Sequence, residues 1–239
     1  GEELAPSYKE LETELRNSKI VGSDETGWRI DGENCFLWLF CSINLVFIAI
    51  EQSRGRKILA KYFGTIFEGT IISDCYNAYR EFAKHFQKCW AHLLRTTHRL
   101  AKENKNDVRK LHRLLTNLFN EMKKFLDKVP TENERIRKHK IYEKKLKKIM
   151  NYNWKSKEAK SIIKNRLRAF EGHWLTAILI SGVELTNNKT EREIKIFNAS
   201  LTYKEILSNQ STTLTDEPGI VDLQTNYSLK VEQSIGYSI

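Results

Sequence analysis

Two short apolar runs near the start of the chain restrict its possible folds more than any other feature. Residues 35–42 (CFLWLFCS) and 45–50 (LVFIAI) are rich in aromatic and β-branched side chains. Both runs are shorter than a typical helix, so we predict that each is a buried strand. Residues 19–30 form a third candidate strand, and Gly32 supplies the turn that follows it. Together these segments predict a three-stranded antiparallel meander.

Helices and two further strands are predicted on either side of this meander. Residues 8–17 have the pattern of a short amphipathic helix, and residues 54–63 that of a second helix. A short apolar strand at 69–73, a helix at 75–84 and a strand at 86–90 follow. This order predicts an α/β (α+β) fold, in which a mixed sheet of about five strands is flanked by helices.

The positive charge is concentrated in one internal segment. The whole chain carries 40 Lys+Arg and 30 Asp+Glu, a formal net charge of +10. Residues 95–168 hold 24 of these basic and 8 of these acidic residues, a net of +16. Apolar residues recur at three- and four-residue steps over 111–125, and Thr131 can cap a further helix. Residues 93–168 are therefore predicted to be a basic helical insertion that binds nucleic acid, with a merely solvated helical face as the alternative.

The pattern along the chain predicts five parts. After the insertion, Thr186, Asn187 or Asn188 can cap a helix that carries Glu191 in its first or second turn. The last segment is polar and has weak periodicity. The predicted parts are a lead-in helix (1–18), the first part of the core (19–92), the basic insertion (93–168), the final core segment with Glu191 (169–197) and a polar, mostly irregular tail (198–239).

Composition argues against several classes of protein. Hydrophobic residues make up 40% of the chain, as in globular proteins. The four cysteines form no CxxC pair, which argues against a disulfide scaffold or a zinc ribbon and favours a reducing compartment. No apolar run approaches the ~18 residues of a membrane span, and the first residues lack the pattern of a signal peptide. We therefore expect a cytoplasmic protein.

Three acidic residues have positions suited to a two-metal phosphodiester reaction. Asp24 comes from the first predicted strand, Asp74 closes the fourth, and Glu191 begins the helix after the insertion. Such a reaction needs carboxylates that converge on Mg²⁺ ions ~3.5–4 Å apart. Spacing alone leaves a simpler interpretation open. An Asp at a strand end is commonly a turn or cap residue, and a Glu in a first helical turn commonly interacts with the helix dipole.

Four sequence blocks, in order, resemble one family. SDETGW (23–28), SDCYNAY (73–79), CWAHLLR (89–95) and TNNKTEREIK (186–195) resemble the successive signature blocks of insertion sequence 66 family transposases. The preceding PSYKELETEL resembles the helix that leads into their core, so the resemblance covers residues 6–197. These are DDE transposases with a ribonuclease-H-like catalytic core. The resemblance implies that fold, with a large helical insertion before the last acidic residue.

The resemblance also implies roles for the three acids. Asp24, Asp74 and Glu191 would be the catalytic residues and the ligands of two Mg²⁺ (or Mn²⁺) ions, with Asp24 and Asp74 side by side on adjacent strands. The implied activity is DNA cleavage and strand transfer, and the implied partner is double-stranded DNA, both element ends and target. A homo-oligomer on paired ends and a prokaryotic, nucleoid-associated location are further implications.

Five residues are candidates for contact with DNA: His92, Arg95, Arg99, Asn188 and Arg192. His92 and Arg95 lie in the CWAHLLR block and could contact a phosphate or a leaving group. A hydrogen-bonded, structural His92 is an equal alternative. Helix capping explains Asn187 and Asn188 as well as DNA contact does.

Two departures from the family affect the expected activity. Family members carry an N-terminal region that recognises element ends, whereas this sequence starts just before the core. They continue after the last acidic helix with a basic, Gly-containing stretch, whereas residues 198–239 are polar. We therefore expect an N-terminally truncated transposase with an atypical tail. The alternatives for its function are an active catalytic core, an inactive remnant that only binds DNA and, less favoured, a ribonuclease-H-type nuclease that acts on RNA–DNA hybrids.

Overall fold

The computed structural model describes residues 5–30, 32–79, 82–103 and 106–197. The predicted tail lies outside these residues. The chain divides into two compact units, which are described separately below. The first unit takes Gly1–Phe67 and Asn188–Ile239, and the second takes Glu68–Asn187.

Strands and helices follow one another along the chain in the predicted α/β manner. The strands are β1 (Ile20–Ile30), β2 (Glu33–Cys41), β3 (Val46–Glu51), β4 (Phe67–Ser73) and β5 (Ala83–Lys88). The helices are α1 (Ala5–Asn17), α2 (Arg56–Phe63), α3 (Trp90–Lys102), α4 (Asn106–Leu126), α5 (Glu132–Met150), α6 (Lys157–Ile162) and α7 (Thr176–Leu179). Residues 188–197 form the described part of α8. The five strands belong to one mixed sheet in the order β3-β2-β1-β4-β5, which confirms the predicted fold class.

The first unit contains the predicted antiparallel meander, and the structure confirms it. β1 pairs with β2 so that Asp24 lies opposite Leu39, and β2 pairs with β3 so that Leu39 lies opposite Ile48. β2 is the central strand of these three and is buried on both faces from Leu37 to Cys41. Burial on both faces explains why this part of the sequence is a continuous apolar run rather than an alternating one.

Aromatic side chains pack on one face of the meander. The ring centroid of Phe40 in β2 lies 5.0 Å from that of Phe63 and 5.7 Å from that of Tyr62, both in α2. Tyr8 of α1 lies 4.9 Å from Phe47 of β3. The first two helices therefore cover this face with rings that meet in tilted and edge-on arrangements.

Aliphatic side chains on the other face of the meander pack against α8. Leu37 and Leu39 of β2 and Ile48 of β3 form one buried cluster with Ile194 and Phe197 of α8. This helix comes after the whole second unit in sequence. It completes the core of the first unit.

Two buried tryptophans organise the core of the second unit. Trp90 begins α3, and its ring centroid lies 5.6 Å from that of Trp174. The Trp90 Nε1–H donates to the Trp174 carbonyl oxygen at 2.7 Å. Gln87 of β5 donates to the same oxygen at 3.2 Å and accepts the N–H of Ala177 at 2.8 Å. These bonds satisfy buried polar groups and join the segment around α7 to β5 and α3.

Most described residues of the basic segment are helical, as its periodicity predicts. α4 and α5 are joined by a turn in which Val129 has a φ of 50°. Thr131 caps α5 as expected, because both its N–H and its hydroxyl donate to the Glu134 carboxylate at 2.8 Å. α6 continues into a π-helical segment, Ile163–Arg168. No helix among the described residues is both long and apolar enough to cross a membrane.

The predicted helix at 75–84 is wrong. Among its described residues, helical geometry is limited to a 3-10 turn at Asn77–Tyr79, and β5 begins at Ala83. The Asp74 carboxylate accepts the N–H of Tyr76 at 2.8 Å, a local turn that competes with a helical start. The fifth strand begins three residues earlier than predicted and ends at Lys88, because Trp90 already belongs to α3.

Candidate active site

Asp24 lies near the middle of β1, in the first unit. Its Cα is opposite that of Leu39. Residues directly opposite each other in an antiparallel pair have their side chains on the same face. Asp24 therefore lies on the face that packs against α8. Its carboxylate is half-buried and accepts the backbone N–H of Glu25 at 3.1 Å.

Glu191 lies near the start of α8, also in the first unit. It precedes the buried Ile194 by three residues, and residues three apart lie on the same side of a helix. Ile194 packs in the cluster that contains Leu39. Glu191 is accordingly on the side of α8 that faces the meander, and it is half-buried there. The structure thus brings Asp24 and Glu191 to the same face of β1–β3.

The residues around Glu191 differ in their roles: one holds α8 in place, and others are exposed to solvent. Lys189 Nζ donates to the carbonyl oxygen of Ser42, just after β2, at 2.7 Å. Asn188 and Arg192, two of the predicted DNA contacts, are exposed and lie one turn apart. Asn187 is buried, and its N–H donates to Cys89 Sγ at 3.2 Å within the second unit. Its backbone therefore has a structural role.

Asp74 belongs to the second unit and directly follows β4. Besides the bond from Tyr76 to its carboxylate, its backbone carbonyl accepts Lys88 Nζ at 2.8 Å and the Ser73 hydroxyl at 3.1 Å. The residue is half-buried. Hydrogen bonds therefore hold the turn after β4 through both the side chain and the backbone of Asp74.

The thiol next to Asp74 is also half-buried. Burial raises the pKa of Cys75, and this effect exceeds the opposing effects of Lys88 and of a hydrogen bond with Arg166. The thiol therefore stays protonated at neutral pH, because its pKa lies above the ordinary value of 9.0.

Three of the predicted DNA contacts lie along α3. His92, Arg95 and Arg99 are spaced by three and four residues, so they lie on one side of the helix. His92 is half-buried, whereas Arg95 and Arg99 are exposed. Arg99 Nη1 lies 3.9 Å from the carboxylate of Glu103, a surface pair one turn further along. This side of α3 presents basic groups to solvent.

The sequence patterns did not indicate that Lys88 is buried. A lysine at the end of a strand is ordinarily exposed, but this one is 1% exposed. The signal in the sequence was weak: Lys88 directly precedes the apolar Cys89 and Trp90, which are both fully buried.

Comparison with known proteins identifies one family. The model of the family described as "Transposase IS66 family" matches residues 1–207, which is most of the chain. No curated protein and no solved structure matches the chain. The family match agrees with the four signature blocks and with the mixed α/β fold. The chain belongs to the IS66 transposase family.

Proposed function

We propose that this transposase chain contains a DDE catalytic core. It would cleave DNA at element ends and join the freed 3′-hydroxyl to target DNA by transesterification. Asp24, Asp74 and Glu191 would be the catalytic acids, and 93–168 would be the DNA-binding insertion. Family membership supports a role in transposition. A homo-oligomer on paired ends would be the working form.

The packing of α8 is the observation that carries this proposal. Ile194 and Phe197 bury the helix on the face of the meander that also carries Asp24. Glu191 therefore shares a face with Asp24, although 166 residues separate them in sequence. Two half-buried carboxylates, one on β1 and one on the helix that packs over the same face, suit the binding of a divalent cation.

The chemistry of the three side chains fits divalent cations. Carboxylate oxygens are the ligands that Mg²⁺ and Mn²⁺ prefer. We propose that the three acids hold two such ions, which when bound activate the attacking oxygen and stabilise the leaving oxygen. The chain contributes rigidity: Asp24 lies within a paired strand, and backbone hydrogen bonds hold the turn at Asp74.

The basic insertion would bind the DNA backbone, and α5 presents the most suitable face. Lys140, Lys144 and Lys148 recur every four residues, are exposed, and make no hydrogen bond or ion pair with another described residue. By contrast, Lys145 and Lys147 of the same helix pair with Glu121 and Glu143. Unneutralised amines at this spacing can each approach a phosphate and release counterions.

Plasmid nicking and strand transfer test the catalytic proposal. The wild type is compared with Asp24→Asn, Asp74→Asn and Glu191→Gln on supercoiled DNA, with and without Mg²⁺ or Mn²⁺. Each substitution should lower the rate of metal-dependent nicking by at least about a hundredfold, because several kcal/mol of charge stabilisation are removed. DNA affinity, measured by fluorescence anisotropy, should change little.

Glu193→Gln is the matched control, because Glu193 lies on the same helix and is also half-buried. It should retain nicking. Unchanged nicking in the three acidic variants would contradict the proposal. DNA binding by the wild type without any metal-dependent product would favour an inactive remnant. Cleavage restricted to RNA–DNA hybrids would favour a ribonuclease-H-type nuclease.

A further inference from the structure

Lys88 is a fully buried cation in the second unit. It ends β5, and its side chain is among the largest that the fold buries completely. Nζ donates to the Asp74 carbonyl oxygen at 2.8 Å and to the Ser73 hydroxyl at 3.1 Å. Both partners are neutral oxygens at the end of β4. A lysine in the core therefore contacts the turn that carries a candidate catalytic acid.

Aromatic rings surround the same ammonium group. Nζ lies 4.8 Å from the ring centroid of Phe170, 5.4 Å from that of Phe86 and 5.6 Å from that of Tyr79. These distances are within the range of cation–π attraction. A buried ammonium loses its hydration, so a fold retains it only where hydrogen bonds and ring faces compensate. The surroundings of Lys88 supply both.

Other hydrogen bonds hold the same turn. The Cys89 N–H donates to the Ser73 carbonyl oxygen at 2.8 Å, and the Tyr76 N–H donates to the Asp74 carboxylate at 2.8 Å. Lys88 supplies the bond to the Asp74 carbonyl, which lies between these two. The same carbonyl also accepts the Ser73 hydroxyl at 3.1 Å, and that hydroxyl in turn accepts Lys88 Nζ. Loss of the ammonium therefore weakens the restraint on the peptide after Asp74 and on the side chain that the turn presents.

We propose that Lys88 is a positioning residue, whose buried ammonium fixes the peptide of Asp74 and thereby holds the Asp74 carboxylate ready for a divalent cation. The part that concerns the cation rests on the proposed function. The part that concerns the turn rests on the contacts of Lys88 alone. A positively charged anchor also suits a turn whose side chain is negative, because the two charges favour each other across the buried peptide.

Lys88→Met tests the proposal in the full chain, because methionine keeps most of the length and the apolar character of the side-chain stem but removes the charge and the donors. The control is Arg135→Met. Arg135 is likewise a buried cation of the second unit, and its Nη1 donates to the carbonyl oxygens of Ala177 and Ile178 at 3.1 and 3.3 Å. Both substitutions should lower the melting temperature. A general loss of stability is therefore common to the two variants and cannot explain a difference between them.

Two readouts separate positioning from stability. The first is hydrogen exchange of the Tyr76 amide, which reports whether the turn at Asp74 is intact. The second is Mn²⁺ affinity, measured by electron paramagnetic resonance without DNA. We expect Lys88→Met to speed Tyr76 exchange and to weaken Mn²⁺ binding, each about tenfold, whereas Arg135→Met should change neither more than twofold.

Equal effects of the two substitutions on both readouts would overturn the proposal and leave Lys88 a structural residue. Unchanged Mn²⁺ affinity in Lys88→Met alongside a clear loss in Asp74→Asn would also overturn it. If Asp74→Asn itself binds Mn²⁺ like the wild type, the metal assignment of the proposed function fails. Exchange at Tyr76 then still decides whether Lys88 holds the turn.

Discussion

Asp24 and Glu25 are consecutive acids on β1, and the strand directs their side chains to opposite faces. Glu25 lies opposite Trp38, is 8% exposed, and accepts two hydrogen bonds from Arg54 at 2.8 and 2.9 Å. Its charge is compensated within the first unit. Asp24 lies opposite Leu39 on the face shared with Glu191. The alternation of the strand thus separates a structural acid from a candidate catalytic one.

His112 gives a test of pH dependence at the scale of one residue. Its Nδ1 lies 2.8 Å from the Thr97 hydroxyl, and its ring centroid lies 5.3 Å from that of His98. Burial, and then the nearby His98, lower the pKa of His112 below its ordinary value of 6.5. The unfolded chain therefore binds this proton at a higher pH than the native state does.

This difference destabilises the native state as the pH falls below about 6.5 towards the lower native pKa. We expect the melting temperature of the wild type to fall more between pH 7.5 and 5.5 than that of His112→Gln, with calorimetry as the measurement. Burial also lowers the pKa of His139, so both proteins retain part of the effect. Equal slopes for the two proteins would disprove the contribution of His112.

The sequence predicted that Asp24 lies on the first strand, although nearer its end than the middle where the structure has it, and it did not predict the burial of Lys88. Asp24 follows from the strand pattern at 19–30, which is local. Phe86, Gln87 and Lys88 are consecutive and all buried, so no period-two pattern marks the lysine. Its burial depends on Phe170, more than 80 residues away in sequence. Contacts of that kind are not encoded in local periodicity.

At the scale of elements, the start of α5 is a sequence-encoded feature that can be tested. Thr131 and Glu134 form the capping box, and their hydrogen bonds lower the pKa of the Glu134 carboxyl. Thr131→Ala should reduce the free energy of unfolding by about 1 kcal/mol, since the cap hydroxyl is lost. Urea denaturation followed by circular dichroism measures this.

Thr131→Ser is the control for that substitution, because serine retains the hydroxyl. It should have nearly the stability of the wild type. If Thr131→Ser is destabilised as strongly as Thr131→Ala, packing of the methyl group rather than capping would explain the effect.

The elements that the sequence predicted correctly are those with strong local patterns. The meander has continuous apolar runs, and the basic segment has long helical periodicity. The segment at 75–84 failed because its composition permits a helix, whereas the Asp74 turn and the buried Tyr79 and Phe82 stabilise a turn and an earlier strand. Tertiary burial overrode a weak helical preference there.

At the scale of the whole molecule, the uneven charge predicts how the protein binds DNA. We expect Lys140→Gln/Lys144→Gln/Lys148→Gln to weaken binding to duplex DNA at low salt. The slope of log Kd against log [salt] should also fall by about 2 to 3, since each lost phosphate contact contributes about 0.9. Anisotropy titrations across a range of salt concentrations measure both.

The control carries the same loss of charge on α6 and the π-helical segment that follows it: Lys157→Gln/Lys160→Gln/Lys164→Gln, all exposed positions. Its slope should change by less than about 1. If the two triple variants behave alike, binding follows the total charge of the insertion, and the assignment of the α5 face is wrong.

The first unit is discontinuous in sequence, and this affects how the chain emerges from the ribosome. The strands β1–β3 are complete before Phe67, but Ile194 and Phe197 come after the whole second unit. At ~5–20 residues per second, the roughly 130 intervening residues take on the order of 10 s to synthesise. During that interval the aliphatic face around Leu39 has no α8 to cover it. The nascent chain therefore exposes an apolar surface of the kind that chaperones recognise. The meander can reach its native packing only after the second unit has been synthesised.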